Sequence, residues 1–273
     1  MPSLSDVGMW EWLLPLFGFL ISIAAALTGV GGGIFIVPLL TLLYGFEPVV
    51  AVGTSLATII ITSVASSANY LKQNRVYVKA GLVLACTTTP GGYVGAAITA
   101  VPVVKMWLGV IFGIFLIIVA VQMVYKALST KSVKGCGVVD AAFEKSLLKD
   151  WRKMLSGLFL GFFGGVASGL LGIGGGTVLV PVMCYALGFP IHFAIPTSMF
   201  IMIFTSISGV INHVQQGNVN SLHAVYLGIG AVLGAQVGAY ASRKLSSRNL
   251  SLVFAAMLVV ASVNMILKNL HYI

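Results

Sequence analysis

The sequence contains one glycine-rich decapeptide twice, as GVGGGIFIVP at residues 29–38 and as GIGGGTVLVP at residues 172–181. In each copy three consecutive glycines precede a short apolar run that contains a proline. The offset of 143 positions needs no gap, and it aligns further residues: Gly45-Phe46 with Gly188-Phe189, Thr54-Ser55 with Thr197-Ser198, Asn69 with Asn212, and Gln73 with Gln216. The chain is therefore predicted to be an internal duplication.

The composition of the chain excludes an ordinary soluble domain. Of its 273 residues, 59% are hydrophobic and only 8% are charged, whereas a soluble domain has about 25% charged residues. With a mean hydropathy of +1.05, this much apolar material cannot all be buried in one core, so part of the surface must face lipid. The few charges also argue against a nucleic-acid partner. We therefore expect an all-α polytopic membrane protein that is surrounded by a lipid bilayer.

The apolar runs follow the same order in both halves of the chain. They cover residues 12–28, 34–44, 48–71, 80–100 and 106–126 in the first half, and residues 154–171, 177–187, 191–214, 222–241 and 249–268 in the second. The run after each glycine cluster is about 17 Å long as a helix, roughly half of a hydrocarbon core of ~30 Å. Each repeat is therefore predicted to contain a glycine-tipped re-entrant or broken helix hairpin plus three spanning helices.

Lysine and arginine residues divide the chain and orient it. Membrane repeat 1 is predicted at residues 1–127, a basic linker at residues 128–152 and membrane repeat 2 at residues 153–273. Because basic loops of membrane proteins stay on the cytoplasmic side, we expect a water-exposed, cytoplasmic linker in a multi-pass protein of the plasma or inner membrane. An inverted second repeat places more basic residues on that side than a parallel one does. The sequence therefore favours two inverted-topology repeats.

The glycine clusters form the predicted binding site. In inverted repeats the two tips enter from opposite faces and should meet near the membrane midplane. A helix that begins after three glycines exposes its first N–H groups and the positive end of its dipole, and both attract a small anion. Hydroxyl groups at the start of the next long helix are further candidate donors. The candidate substrate-binding residues are Gly31, Gly32, Gly33, Thr54, Ser55, Gly174, Gly175, Gly176, Thr197 and Ser198.

Other polar residues in the apolar runs are candidates for gating or coupling: Asn69, Asn212, His213 and Gln236. Histidine changes its charge near neutral pH, so His213 could carry a coupling proton. The amide side chains could gate the pathway or hold helices together. The three cysteines have no metal-binding spacing, and we expect neither a cofactor nor a metal. These residues predict no particular anion, direction of transport, coupling ion or oligomeric state.

The same residues have alternative interpretations. Scattered glycines such as Gly91 and Gly234 are typical of close helix packing in lipid, and hydroxyl groups in helices often bond back to their own turn. An anion channel would use the predicted site without a counter-gradient. A serine enzyme would need Ser208 within reach of His213, yet five positions on one predicted helix separate them, so no enzyme is expected. A cation conductor would need carboxylates or carbonyl rings, and no apolar run carries Asp or Glu at its middle.

The duplicated GxGGGxxxVP motif also carries a resemblance to a known family. Together with GTSL at residues 53–56, PTSM at residues 196–199, Asn69 and Asn212, it resembles the TauE/SafE sulfite exporter family of transporters over essentially the whole chain. The resemblance implies transport, commonly export, of sulfur-containing anions such as sulfite, sulfoacetate or other organosulfonates. Gly53 is replaced by Pro196 in the second copy, so the two Thr-Ser pairs need not be equivalent.

Overall fold

The computed structural model describes residues 11–129 and 141–241, together with residues 259, 262–264 and 267. Within these residues the regular structure is entirely helical, as predicted. The helices are α1 (Leu14–Thr28), α2 (Gly33–Pro38), α3 (Pro48–Lys72), α4 (Val78–Ile98), α5 (Pro102–Ser129), α6 (Ala141–Lys149), α7 (Trp151–Leu171), α8 (Gly176–Pro181), α9 (Ile191–Gln215) and α10 (Ser221–Ala241).

Six of these helices are long and apolar enough to cross a membrane: α3, α4, α5, α7, α9 and α10. In the first repeat this gives the three predicted spanning helices after the glycine-tipped hairpin. In the second repeat, most of the last apolar run, 249–268, lies outside the described residues. Helix α7 differs from its equivalent α1, because its 21 residues suffice for a span whereas α1 has 15. The second hairpin therefore has one long arm. The apolar run in the sequence, which starts at residue 154, is shorter than this helix.

The duplication is visible in the helix boundaries. Shifting α2, α3 and α4 by 143 positions reproduces the bounds of α8, α9 and α10. Pro38 and Pro181 lie at equivalent places, and a π-helical turn follows each of them, Leu39–Leu43 and Val182–Ala186. A proline inside a helix removes one N–H donor and crowds the preceding turn, which accounts for the widened turn beside it.

The contacts between the repeats also occur in equivalent pairs. Gly91 and Gly95 of α4 lie against the α7 backbone, and their equivalents in α10 lie in the same way against α1. A Cβ built on Gly238, for example, would lie 2.7 Å from the carbonyl oxygen of Ile23. The packing interpretation of these glycines is confirmed, because only glycine lets the helix backbones come this close.

Helices α3 and α9 form the centre of the structure. In their most apolar windows 72% and 61% of residues are buried, more than in any other candidate span of the described chain. Gly53 near the start of α3 lies against His213 near the end of α9, and Leu56 lies against Gly209. The two equivalent helices therefore run in opposite directions. Their orientation relative to a bilayer stays a prediction.

Part of the predicted linker is folded. Helix α6 lies within residues 128–152, and its Phe143 ring is 5.6 Å from Tyr77 and 5.7 Å from Phe189. Leu147 is 4% exposed, and Oε1 of Glu144 accepts a hydrogen bond of 3.0 Å from the N–H of Ala80. The expectation of a wholly water-exposed linker is therefore wrong for residues 141–149, because the apolar side of this short helix packs on the start of α4.

Candidate functional site

Each glycine cluster forms a tip at which the chain reverses. Helix α1 ends at Thr28 and α2 begins at Gly33, and between them Gly31 and Gly32 have φ angles of 84° and 82°. In the second repeat Gly174 and Gly175 have φ angles of 73° and 84°. Side chains other than glycine rarely adopt this left-handed backbone. The repeated glycines therefore allow two helices to meet in a turn that brings bare backbone to the surface of the tip.

The two tips are in direct contact with each other. A Cβ on Gly33 would overlap with the carbonyl oxygen of Gly172, and a Cβ on Gly176 would overlap with that of Gly29. The tip segments 29–33 and 172–176 thus lie side by side with opposite directions. The structure brings together the six candidate glycines as expected, while their depth in a bilayer stays a prediction.

The helices that leave the tips present free backbone donors. The first N–H groups with partners in α2 are those of Phe35 and Ile36, which bond to Gly32. In α8 the N–H groups of Val178 and Leu179 bond to Gly175 at 3.0 and 2.8 Å. Residues 33–34 precede the first of these pairs, and residues 176–177 precede the second. Their N–H groups have no acceptor among the described residues, as expected at helix N-termini. Each tip therefore offers donors to an anion.

The hydroxyl groups of the Thr-Ser pairs make contacts between the repeats. Ser55 Oγ donates to the Gly172 carbonyl at 2.8 Å. Ser198 Oγ has two acceptors within reach, the Gly29 carbonyl at 3.1 Å and the Ile195 carbonyl of its own helical turn at 2.8 Å. These serines bond to the opposite tip and hold it in place. Whether they also donate to a substrate stays a prediction.

Thr54 and Thr197 link helices at two separate ends of the structure. Oγ1 of Thr54 accepts from the N–H of Asn220 at 3.0 Å, and Oγ1 of Thr197 accepts from the N–H of Tyr77 at 3.1 Å. The two bonds are equivalent under the 143-residue offset. We call them the Thr54 latch and the Thr197 latch.

Two buried hydroxyl groups distinguish the second tip from the first. Ser168 is fully buried and Thr177 is 9% exposed, and neither hydroxyl has a partner among the described residues. Ser168 lies beside Gly175, since a Cβ built there would be 3.4 Å from its Cβ. The equivalent residues in the first tip, Ala25 and Ile34, have no hydroxyl. Sequence reasoning missed this pair, although the aligned repeats differ visibly in polarity there.

The tips are covered by two side chains that the sequence analysis did not single out. Met202 of α9 lies against Gly31, Gly174 and Gly176, and Ile59 of α3 lies against Gly174. Both side chains are fully buried, and they occupy equivalent positions of the two repeats. No motif marks them, so only the three-dimensional contacts reveal them.

Two of the three candidate gating amides, Asn69 and Gln236, form hydrogen bonds between α3 and α10. Nδ2 of Asn69 donates to Oε1 of Gln236 at 3.0 Å, and Nε2 of Gln236 donates to the Ala65 carbonyl at 3.0 Å. Asn212 accepts a hydrogen bond from Gln216, which also bonds to the Ala96 carbonyl at 3.0 Å. These contacts fit the helix-holding alternative, and a gating role stays a prediction.

His213 and Tyr70 occupy equivalent positions of the two repeats. Nε2 of His213 lies 3.1 Å from the Gly169 carbonyl, and at the equivalent position the Tyr70 hydroxyl donates to the Ala26 carbonyl at 2.6 Å. Both side chains thus bind the last turn of a helix that leads to a tip. Nδ1 of His213 is buried without a partner among the described groups. An intramembrane serine enzyme would need Ser208 beside His213. Ser208 instead donates a hydrogen bond to the Thr89 carbonyl.

The tip segments 29–33 and 172–176 contain no charged side chain. Arg75 is a buried cation, 5% exposed, that donates to the His192 carbonyl at 3.1 Å and lies over the Tyr70 ring. It belongs to the loop between α3 and α4.

The described residues contain no group of three His, Cys, Asp or Glu side chains that could hold a metal ion. Outside the spans, the Lys153 N–H that donates to Asp150 lowers the pKa of that carboxyl below its ordinary value.

Comparison with known proteins agrees with this architecture. The family model described as "Sulfite exporter TauE/SafE" matches residues 14–265. The chain is 31% identical to "Probable membrane transporter protein YunE" of Bacillus subtilis, covering 94% of this chain and 98% of that protein. It is 32% identical to a "Probable membrane transporter protein" of Haemophilus influenzae, over 93% of this chain and 97% of the other. No solved structure matches the chain significantly. The chain therefore belongs to the sulfite exporter TauE/SafE family of membrane transporters.

Proposed function

We propose that the protein is a secondary transporter, working as an exporter, of small sulfur-containing anions such as sulfite, sulfoacetate or other organosulfonates. The observation that carries this proposal is the direct contact of the two glycine tips, each ending in backbone N–H groups without an acceptor among the described residues. The anion binds between the N-terminal ends of α2 and α8, held by their N–H groups and by hydroxyl groups.

Backbone donors suit this site for a physical reason. Two helix ends at one place supply positive potential, although neither tip segment carries a lysine or arginine side chain. Broken helices that point their N-terminal ends at an anion are a recurring feature of transporters built from repeats. Buried Ser168 and Thr177 add hydroxyl donors at the second tip, so the anion is held more strongly by that repeat.

The two latches support alternating access. The Thr54 latch ties the start of α3 to the residue before α10, and the Thr197 latch ties the start of α9 to the residue before α4. Because α3 and α9 run in opposite directions, these latches lie at opposite ends of the central pair. Transport then consists of opening one latch while the other stays closed. The antiparallel central pair also supports inverted repeats in the plasma or inner membrane, with the basic linker in the cytoplasm.

The coupling of transport to a proton or another ion belongs to the same proposal. His213 and the amides Asn69, Asn212 and Gln236 are the candidates. His213 is the one of these with an ionisable side chain.

Transport into or out of proteoliposomes tests the proposed function. We expect saturable flux of labelled sulfite and of a labelled sulfonate. The flux is lost in Gly32→Leu and in Gly175→Leu, because a side chain there meets Ile21 or Ser168 of its own hairpin and distorts the tip. The matched controls are Gly45→Leu and Gly188→Leu, where φ is also positive but nothing lies within 4 Å of an added Cβ. Flux no greater than in empty liposomes would contradict the function, and undiminished flux in both tip variants would contradict the site. Flux that does not saturate and needs no counter-gradient would indicate a channel.

A further inference from the structure

Met202 is the side chain with the most extensive contact with both glycine tips. A Cβ built on Gly31 would overlap with its terminal methyl, Cε, and one built on Gly174 would lie 2.6 Å from the same atom. A Cβ on Gly176 would lie 2.9 Å from its sulfur. The thioether end of this one residue therefore packs on the backbone of the first tip and of the second.

The contact breaks the symmetry of the two repeats. Ile59 occupies the equivalent position in α3, and it lies against Gly174, with its Cγ2 2.9 Å from a Cβ built there. Against Gly31, the nearest side chain is again that of Met202. The methionine side chain is longer than that of isoleucine and is not branched. Met202 therefore fills the space beside both tips that two equal side chains would otherwise share. It can also change rotamer more easily than isoleucine.

We propose that Met202 is a specificity-determining residue of the anion site, in that its apolar end contacts the face of the substrate that carries no oxygen. This inference rests on the proposed function. Sulfite and sulfonates carry three oxygens on one side of sulfur, and a lone pair or a carbon on the other. Sulfate has an oxygen in every direction. Met202 and Ile59 offer no hydrogen-bond donor, so a sulfate oxygen that faces them would lose its water without a replacement. The site therefore selects sulfite and sulfonates over sulfate.

A polar substitution of nearly unchanged shape tests this selection. In Met202→Gln the amide offers a donor where the thioether stood, and we expect the ratio of methanesulfonate to sulfate transport, as kcat/KM in proteoliposomes, to fall about tenfold or more. Met199→Gln is the matched control, because Met199 is also a fully buried methionine of α9 and is not among the atoms nearest to the tip glycines. Met202→Leu keeps an apolar end and should keep the ratio.

The result that would overturn the inference is an unchanged ratio in Met202→Gln, or an equal fall in Met199→Gln. If Met202→Gln does not fold, as judged by gel filtration, Met202→Ala provides the second measurement. Its shortened side chain should raise the transport of propanesulfonate relative to methanesulfonate about tenfold. Ile59→Ala should raise the same ratio less. An unchanged ratio in Met202→Ala would contradict the proposal. A wild-type protein that carries neither sulfite nor a sulfonate would instead contradict the proposed function itself.

Discussion

At the residue scale, two kinds of glycine in the described hairpins respond differently to the same substitution. Gly33 and Gly176 have no room for a Cβ, because the backbone of the opposite tip occupies that place. Gly45 has a positive φ of 70°, yet open space around it. The first kind serves the contact between the tips, and the second serves only the local turn.

We expect Gly33→Ala and Gly176→Ala to abolish most transport, because the tips must move apart and a displacement of ~1 Å in a site can cost about a hundredfold in rate. Gly45→Ala should cost only about 1 kcal/mol of backbone strain and keep its transport. Flux in proteoliposomes, together with the melting temperature in detergent, checks both expectations. Equal losses of flux in Gly33→Ala and Gly45→Ala would show that the tip contact is unimportant.

A second prediction at this scale concerns Tyr70 and His213, which bind the ends of α1 and α7 in equivalent ways. Tyr70→Phe and His213→Phe each leave a carbonyl without its partner, and each should lower the free energy of unfolding by about 1 kcal/mol. Thermal unfolding measures the loss. Tyr185→Phe is the control, because Tyr185 is 85% exposed, and it should leave the melting temperature unchanged. If neither buried variant is less stable than this control, these two bonds do not hold the tips.

At the element scale, the fold shows what a repeated sequence can specify. The offset of 143 residues and the apolar runs predicted α3 and α9 to within one residue at their ends, 48–71 against Pro48–Lys72 and 191–214 against Ile191–Gln215. Apolar runs are local signals, so they were sufficient here. The docking of α6 depends on Phe143 meeting Tyr77 and Phe189, residues distant in sequence, and no local signal contains that contact.

The same distinction applies to the candidate site. The glycines and the Thr-Ser pairs were visible as repeated motifs, but the bonds that they make across the repeats were not. Met202 was invisible because methionine in an apolar helix is ordinary, and its importance comes from lying against two tips 171 and 28 residues away. Ser168 and Thr177 could have been found by asking where the aligned repeats differ in polarity.

Helix α6 gives a prediction at the element scale. Glu144 accepts a hydrogen bond from the third residue of α4, near the positive end of that helix, so Glu144→Ala should destabilise the protein by about 1 kcal/mol. Glu47→Ala is the control, since its ion pair with Lys105 is exposed and such pairs contribute about 0–1 kcal/mol. Thermal unfolding of both variants gives the comparison. A Glu47→Ala variant less stable than Glu144→Ala would mean that α6 does not dock as described.

At the scale of the whole molecule, the proposed inversion of the repeats predicts opposite exposure of equivalent loops. Lys72 and Gln215 are 143 residues apart, exposed, and at the ends of α3 and α9. In a background without the three native cysteines, an impermeant thiol reagent should label Gln215→Cys on intact cells and Lys72→Cys only after permeabilisation. Labelling of both variants from the same side would mean that the repeats are parallel.

The central claim is that a sulfur oxyanion binds between the backbone ends of two touching glycine tips. The most direct test is a crystal structure with selenite, a heavier analogue of sulfite whose selenium gives an anomalous signal. We expect one selenium peak, on the side of Met202 that faces the tips. The oxygens of this selenite should lie within hydrogen-bond distance of the N–H groups of Gly176 and Thr177. A peak elsewhere in the protein, with the tips in contact and no anion between them, would contradict the claim.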